Sequence, residues 1–236
     1  MHPRIAERAK EPRYTFPEAA AFLGRPTSTV RRWSVGNVRK QGERVKRDDP
    51  LIQIDGKSSL PLSFLNLLEL RFLGSYRQKM PLQSIRRALE FAAHELGKPR
   101  PLLSVEFKVQ GKSLFLEFAE KSSDRYLVDA SRKGQLAWHF APEEIWPSAL
   151  EAFLQSVDYD EQERSAYRWW PLGRVAPVII DTRVNGGRPS TARSGVRTNA
   201  IAFHRKDGLI VPEIAADVGA TEAEVRTALS FERVAA

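Results

Sequence analysis

The sequence contains no cysteine and only two methionines among 236 residues. The absence of cysteine excludes disulfides and thiolate-ligated zinc, and it fits a reducing compartment. No apolar run reaches the length of a membrane span. The first residues also lack the apolar core of a secretory signal. We therefore expect a cytoplasmic location without a membrane partner.

Positive charge is concentrated near the start of the chain. The first 47 residues hold 12 of the 37 Lys and Arg but 4 of the 29 Asp and Glu, so they carry the whole net charge of +8. The rest of the chain contains equal numbers of both signs. A local cationic excess is the electrostatic feature expected of a module that binds double-stranded DNA.

Within this basic region, the segment Tyr14–Trp33 has the pattern of two short helices around a tight turn. Thr15 and Glu18 have the spacing of a capping box, which predicts the start of the first helix. Gly24 stands where that helix must end, and Pro26 marks the start of the next. The segment therefore predicts a helix-turn-helix.

The second helix has two chemically different faces. Val30 and Trp33 lie three positions apart and share one face with Thr27. The N-terminal side chains of a recognition helix meet base edges, and arginine pairs with guanine or phosphate. Ser28, Arg31 and Arg32 point to the other side of the helix. The predicted DNA contacts on this helix are these three residues together with Thr27 at the start of the helix.

A basic run follows this helix, and its predicted contacts with DNA phosphates are Arg39 and Lys40. Such a run is often a solvated, mobile loop. Both descriptions hold together, since a mobile basic loop beside a recognition helix contacts phosphates readily.

The order of these elements resembles the winged-helix domain of MerR-type regulators. The resemblance implies a wing strand at Leu51–Ile54, helices at Leu62–Tyr76 and Leu82–Leu96, and a domain spanning 13–97. The residues before this domain, 1–12, are expected to form a flexible leader. The resemblance also implies that Arg31 contacts phosphate and that Trp33 is an aromatic residue near the DNA backbone.

The middle region, 102–160, is predicted to be a small mixed α/β unit. Apolar and polar residues alternate along Leu103–Val109, which is typical of a half-buried strand. A hairpin turn at Gln110–Lys112 would lead to a second strand at Ser113–Phe118. Shorter strands at Tyr126–Val128 and Gln135–Phe140 and a helix at Pro142–Gln155 complete the prediction. No chemistry is identifiable in this region.

The C-terminal region, 167–236, repeats the helix-turn-helix pattern. A strand is predicted at Val178–Ile180, a turn at Asn185–Gly187 and a helix at Val211–Val218. Thr221 and Glu224 then form a second capping box. Because this pair of helices is nearly neutral, we interpret it as a protein-contacting module, with a second DNA reader as the alternative.

This region resembles a small domain common in bacterial antitoxins. The resemblance rests on five tracts: Trp170–Gly173, Val178–Asp181, Gly187–Pro189, Arg197 and Ile214–Val225. Together with a MerR-like N-terminus, the layout is similar to a subgroup of VapB-type antitoxins. The resemblance implies a protein that binds a PIN-domain ribonuclease toxin and represses its own operon. A homodimer is expected because helix-turn-helix proteins read two half-sites with matching two-fold symmetry. Most such antitoxins are shorter and end in a flexible tail, whereas this chain is predicted to end in a folded helix pair.

Two sets of residues are candidates for protein contacts. An arginine pairs with a carboxylate in a planar fork, which suits a nuclease site rich in carboxylates. The predicted toxin contacts are Arg183, Arg188, Arg193 and Arg197. The apolar residues predicted at the dimer seam are Trp169, Trp170 and Leu172.

Three hypotheses of function remain at this point. An α+β antitoxin is favoured, and a stand-alone MerR-like regulator with a ligand-sensing middle region is the alternative. A nucleic-acid-processing enzyme would need the acidic cluster of Asp158, Asp160, Glu161 and Glu163 to hold a metal. A solvated linker is the better interpretation of that cluster, so no catalytic residue, metal or cofactor is expected.

Overall fold

The computed structural model describes residues 4–41, 44–56, 59–76, 82–110, 113 and 150–234. The fold belongs to the α+β class, as predicted. The chain divides into two compact units: one comprises Met1–Leu70 with Ser156–Ala236, and the other comprises Arg71–Gln155. The two ends of the chain therefore form one unit, although the sequence predicted separate N-terminal and C-terminal domains.

The N-terminal part of the chain alternates short helices and strands. In chain order these are α1 (Ile5–Lys10), β1 (Pro12–Tyr14), α2 (Phe16–Leu23), α3 (Thr27–Val35), β2 (Asn37–Gln41), β3 (Arg44–Asp48), β4 (Leu62–Ser63) and α4 (Phe64–Tyr76). Strand β1 pairs with β4 in antiparallel register.

Helix α1 lies in the segment that was predicted to be a flexible leader, and that prediction is wrong. Ala9 is fully buried, and the helix packs against a strand near the other end of the chain. The amide of Ala6 donates a hydrogen bond to Glu163 Oε2 at 3.1 Å. An apolar stripe on this short helix is covered by distant residues, which orders the segment.

The predicted helix-turn-helix is confirmed in α2 and α3. The Thr15 hydroxyl accepts from the Glu18 amide at 3.2 Å, and the Glu18 carboxylate accepts from the Thr15 amide at 2.8 Å. This reciprocal capping box begins α2. Gly24, with a φ of 61°, ends it, because a left-handed backbone is least strained at glycine.

The wing is built from the basic run and not from Leu51–Ile54. This corrects two predictions, the wing strand at Leu51–Ile54 and the mobile loop at the basic run. Strands β2 and β3 form an antiparallel hairpin in which Val38 lies opposite Arg47 and Lys40 lies opposite Val45. The segment Leu51–Ile54 is not a strand, because the Asn66 amide group donates to the Gln53 carbonyl at 2.7 Å. The Gln53 carbonyl is therefore hydrogen-bonded to a side chain and not to the backbone of a neighbouring strand.

The second unit contains α5 (Leu82–Leu96), which confirms the predicted helix. A 3₁₀ turn at Pro101–Leu103 and a helix at 105–110 replace the strand predicted at Leu103–Val109. The Ser104 hydroxyl accepts from the Phe107 amide at 3.1 Å and so caps the new helix. Phe107 then packs edge-on against Phe72, with ring centroids 6.4 Å apart. The cap and this apolar contact outweigh the alternating pattern.

The remaining predictions for the middle region fall largely on 111–112 and 114–149, outside the described residues. This holds for most of the hairpin turn and of the strand Ser113–Phe118, for the strands Tyr126–Val128 and Gln135–Phe140, and for the first part of the helix Pro142–Gln155. Ser113 itself is helical, so it does not begin a strand. Residues 150–155 are helical. Phe153 packs edge-on against Phe72, with ring centroids 5.3 Å apart.

The C-terminal part has one antiparallel sheet and three helices. The strands, in sheet order, are β5 (Val157–Asp160), β6 (Ser165–Trp169), β7 (Val178–Asp181) and β8 (Ser190–Thr191). The helices are α6 (Thr198–Lys206), α7 (Val211–Val218) and α8 (Glu222–Phe231). The strand after Pro177, the turn at Asn185–Gly187 and both terminal helices were predicted and are confirmed.

Helices α6, α7 and α8 share one apolar core. Its fully buried members include Ile201, Ile214, Val225, Ala228 and Leu229. Their helical spacing places them on the inner faces of the three helices. The second helix-turn-helix therefore uses the apolar face of α8 to hold the C-terminal part together.

Candidate nucleic-acid interface

Helix α3 presents the polar face that the sequence predicted. Thr27, Ser28 and Arg31 are exposed, and Arg32 is partly exposed. Val30 is fully buried on the opposite face. The two guanidiniums can therefore meet a ligand, while the apolar face anchors the helix.

A shallow surface groove follows this polar face to the start of the wing. Its lining consists of Ser28, Thr29, Arg31, Arg32, Gly36 and Asn37. Hydroxyl, amide and guanidinium groups donate hydrogen bonds to phosphate oxygens and base edges. The groove therefore places several hydrogen-bond donors of these types on one side of the protein.

The Arg31 guanidinium lies over the ring of Phe16, with its Cζ 5.8 Å from the ring centroid. Phe16 is the first residue of α2, so this contact connects the two helices of the motif. A guanidinium over an aromatic face is attracted by the ring electrons. The contact limits the freedom of Arg31 without neutralising its charge.

Trp33 corrects the prediction of a DNA-facing aromatic residue. Its side chain is 2% exposed and lies on the buried side of α3. The indole therefore belongs to the core and is not available to a DNA backbone. The backbone of the other predicted contacts, Arg39 and Lys40, lies in strand β2 of the wing.

The opposite side of the helix-turn-helix is covered by the C-terminal part. The buried Tyr14 hydroxyl donates to the Gly187 carbonyl at 2.6 Å, and Arg13 Nη1 donates to the Gly186 carbonyl at 3.0 Å. Burial raises the pKa of Tyr14 far above its ordinary value, so the phenol stays a hydrogen-bond donor. No sequence pattern predicted this contact, because its partners are 173 positions apart.

A second contact joins the same two parts of the chain. Phe22 on α2 and Phe231 on α8 are stacked, with ring centroids 6.1 Å apart and an interplanar angle of 26°. The Nη2 atom of Arg233 lies 3.6 Å from the position that a Cβ on Gly24 would occupy. The C-terminal end of α2 is therefore also in contact with the end of the chain.

Two of the four predicted toxin contacts are engaged inside the chain. Arg183 pairs with the buried Asp181 carboxylate and lies over the Tyr167 ring at 3.7 Å. Burial alone would lower the pKa of Arg183, but its hydrogen bond and charge attraction to Asp181 raise it. Arg188 pairs with Glu18 at the start of α2.

The other two predicted toxin contacts face solvent. Arg193 lies in the turn after β8, and Arg197 directly precedes α6. Both residues are exposed. Within the part of the chain that the structure describes, no carboxylate lies within ion-pair distance of either side chain. Their charges are therefore open to a partner.

Only part of the predicted dimer seam is on the surface. Trp169 is 1% exposed, so its indole is a core residue of the sheet and the prediction for it is wrong. The Trp170 indole donates to Asp158 Oδ2 at 3.0 Å and is half-buried. Leu172 remains exposed.

The acidic cluster belongs to the strand β5 and its turn, which corrects the prediction of a solvated linker. Asp158 accepts from Trp170 and Arg174, and Asp160 Oδ1 accepts from the amides of Gln162 and Glu163. Among the residues that the structure describes, no group of three metal-ligating side chains converges. These carboxylates support the turn between β5 and β6.

The first turn of helix α8 contains the buried carboxylate of Glu224. Its Oε1 accepts from the amides of Arg193 and Ser194 at 3.2 Å and 3.1 Å, and its Oε2 accepts from the Thr221 amide at 3.0 Å. Burial alone would raise the pKa of Glu224, but these backbone amides and the Thr221 hydroxyl lower it. The carboxylate therefore joins α8 to the turn after β8.

Comparison with known proteins supports the DNA-binding assignment and the overall fold. Residues 12–89 match a family model described as "Putative DNA-binding HTH domain". The crystal structure of Rv2018 from Mycobacterium tuberculosis is similar in fold, with a TM-score of 0.70 and 23% identity, over 93% of this chain and 98% of that chain. The comparison with curated proteins found no match.

The described helices contain no apolar stretch long enough for a membrane span. The N-terminal match and the exposed polar face of α3 agree with each other. The chain therefore carries a helix-turn-helix of the DNA-binding type in its N-terminal part.

Proposed function

We propose that this protein is a transcriptional repressor of the antitoxin type, which binds its own operator and neutralises a PIN-domain ribonuclease. The observation that carries the DNA-binding part is the pair of the exposed Arg31 and the partly exposed Arg32 on α3, beside the basic wing. Guanidiniums at such positions contact phosphates and read guanine in the major groove.

The toxin-binding part rests on the C-terminal sequence motif and on the exposed Arg193 and Arg197. Both arginines can form paired hydrogen bonds with the carboxylates of a nuclease site. Arg183 and Arg188 are secondary candidates, because each already has a carboxylate partner in the chain. A homodimer would match the two half-sites that helix-turn-helix proteins read.

We propose no catalytic activity for this chain. Asp158, Asp160 and Glu163 have hydrogen-bond donors within the fold, which supports a structural role for the acidic cluster. The purified full chain should therefore not cleave nucleic acid when magnesium is added. Cleavage that depends on the metal and is lost in Asp158→Asn would contradict this part of the proposal.

The DNA-binding part is tested with a duplex that covers the region upstream of the chain's own gene. Fluorescence anisotropy should show tighter binding to this duplex than to a scrambled duplex of the same length and composition. The affinity should fall steeply as salt is raised, since phosphate contacts release counterions. Equal affinity for both duplexes would contradict an operator-binding function.

The toxin-binding part predicts that a PIN-domain ribonuclease is encoded next to this gene, and that ribonuclease is the partner used in the test. The full chain should copurify with it and suppress its cleavage of RNA. The variant Arg193→Glu, Arg197→Glu should lose this inhibition, while the matched variant Arg226→Glu should retain it. Operator binding without any effect on the ribonuclease would favour the stand-alone regulator, and with it a ligand-sensing middle region.

A further inference from the structure

Helix α2 is held at both of its ends by residues from the other end of the chain. At its start, Glu18 pairs with Arg188, and Tyr14 bonds to Gly187. At its end, Phe22 stacks on Phe231. The orientation of α2 is therefore fixed by these three contacts, which lie near both of its ends.

The two carboxylate oxygens of Glu18 accept hydrogen bonds from different parts of the chain. Oε2 accepts from the Thr15 amide and hydroxyl at 2.8 Å and 2.9 Å, which caps α2. Oε1 accepts from Arg188 Nη1. Burial alone would raise the pKa of Glu18, but the Thr15 hydrogen bonds and Arg188 lower it. The helix cap and the distant arginine therefore share one ionised group.

Arg188 is itself held in place by its surroundings. Its guanidinium lies over the Tyr14 ring, with its Cζ 5.7 Å from the ring centroid. The preceding Gly187 has no room for a side chain, because a Cβ there would lie 2.6 Å from the Tyr14 hydroxyl. The arginine therefore stands on a tightly packed turn and reaches α2 from a defined direction.

The position of α2 determines the position of α3. Helices α2 and α3 pack against each other, and Ala19 and Ala20 on α2 and Val30 on α3 are all buried. Arg31 on α3 also lies over Phe16 at the start of α2. The side chains of a binding site must be held within about 0.5 Å of their productive positions. Residues that hold α3 in place therefore affect the affinity of the site for DNA.

We propose that Arg188 is a positioning residue for DNA recognition: through Glu18 it fixes α2 and thereby sets the placement of Arg31 and Arg32 on α3. This inference rests on the proposed operator binding. The C-terminal part would therefore contribute to DNA recognition indirectly, by holding α2 and α3 in place, without contacting the duplex itself. Arg188 thereby has a role inside the chain that differs from toxin contact.

The test compares full-length Arg188→Ala and Arg188→Lys with the matched control Arg226→Ala. Arg226 is also a C-terminal arginine with a carboxylate partner, but that partner is Glu222 on its own helix. The affinity of each variant for the upstream duplex and for the scrambled duplex is measured across a salt series at 25 °C. Circular dichroism at the same temperature shows the folded fraction.

Arg188→Ala should bind the upstream duplex about fivefold or more weakly, within the usual range of coupling between sites. Its affinity for the scrambled duplex and its salt slope should stay as in the wild type. Arg188→Lys should recover part of the lost affinity. A partly unfolded variant would instead weaken binding to both duplexes equally.

Three results would overturn the proposal. The first is unchanged affinity of Arg188→Ala for the upstream duplex. The second is an equal loss on both duplexes with a smaller salt slope, since that pattern marks a direct phosphate contact. The third is the same loss of discrimination in Arg226→Ala, which would indicate a general effect of charge.

Hydrogen exchange provides a second measurement that needs no DNA. The amides of 16–35 should exchange faster in Arg188→Ala than in the wild type and in Arg226→Ala, because α2 and α3 lose a restraint. Unchanged exchange would overturn the positioning role. If the wild type itself shows no preference for the upstream duplex, the proposed function fails, and exchange alone then decides whether Arg188 holds the helices.

Discussion

The hydroxyl of Tyr14 donates a 2.6 Å hydrogen bond to the carbonyl oxygen of Gly187, a residue 173 positions further along the chain. Gly187 has a φ of 79°, which only glycine adopts without strain. The bond joins the entry to the helix-turn-helix with the turn that carries Arg188. The DNA-reading part and the C-terminal part therefore depend on each other for their packing.

Substitution of Gly187 should destabilise the protein far more than substitution of another glycine with similar backbone geometry. In Gly187→Ala the new methyl group would meet the Tyr14 hydroxyl at 2.6 Å, so strain and overpacking combine to about 3 kcal/mol. In Gly195→Ala, with a φ of 69° and no atom within 4 Å of the new methyl group, strain alone costs about 1 kcal/mol. Urea unfolding of both variants measures the difference, and equal losses would contradict the contact.

Glu224 should make folding sensitive to acid. Its pKa is lowered in the folded protein, so its contribution is complete above the ordinary glutamate pKa of about 4.3 and is lost as pH falls through the folded pKa. Glu224→Gln should lose about 1–3 kcal/mol at pH 7, because amide bonds to a charged acceptor are weakened. Unfolding free energies at pH 7, 5 and 3.5 should therefore decline less in this variant than in the wild type.

The control for Glu224 is Glu222→Gln on the same helix. Glu222 is exposed and pairs with Arg226 one turn away, and such a pair contributes little. This variant should follow the acid dependence of the wild type. A Glu224→Gln variant with the same acid dependence as the wild type would show that the buried carboxylate is not responsible.

Removal of the C-terminal part should unfold the helix-turn-helix. A truncated chain of residues 1–155 loses the partners of Tyr14, Phe22 and Glu18, and a small domain has little core to spare. The truncated chain still contains the second unit, so hydrogen exchange is used to follow the helix-turn-helix separately. We expect the amides of 16–35 to be protected in the full chain and to lose this protection in the truncated chain. Retained protection of these amides in the truncated chain would show that the N-terminal part folds alone.

Features that depend on neighbouring residues could be predicted from the sequence. The capping boxes Thr15–Glu18 and Thr221–Glu224 fix the starts of two helices through contacts within one turn. The glycines at 24 and 219 end the helices before them by adopting a left-handed backbone. Both helix pairs were therefore predicted with the correct start of α2 and the correct ends of α2 and α7, whereas α3 extends two residues beyond the predicted Trp33.

Features that depend on distant residues could not be predicted. The alternation at Leu103–Val109 resembles a strand, but the Ser104 cap and the packing of Phe107 on Phe72 decide for a helix. The wing strand was predicted in the wrong place because the side-chain amide of Asn66 donates a hydrogen bond to the Gln53 carbonyl, 13 positions away. The joining of the chain ends leaves no local pattern, so Arg188 was first interpreted as a surface contact.

The most direct test of the account is the binding of the double variant Arg31→Ala, Arg32→Ala to the upstream duplex. Both side chains lie on the exposed face of α3, so their loss should remove contacts without disturbing the core. Anisotropy across a salt series should show weaker binding by about 1–3 kcal/mol for each arginine that reads a base, and a smaller salt slope if either one contacts phosphate. Arg226→Ala, with a single exposed charge removed elsewhere, should bind as the wild type does. Wild-type affinity and salt slope in the double variant would contradict the assignment of this helix to DNA.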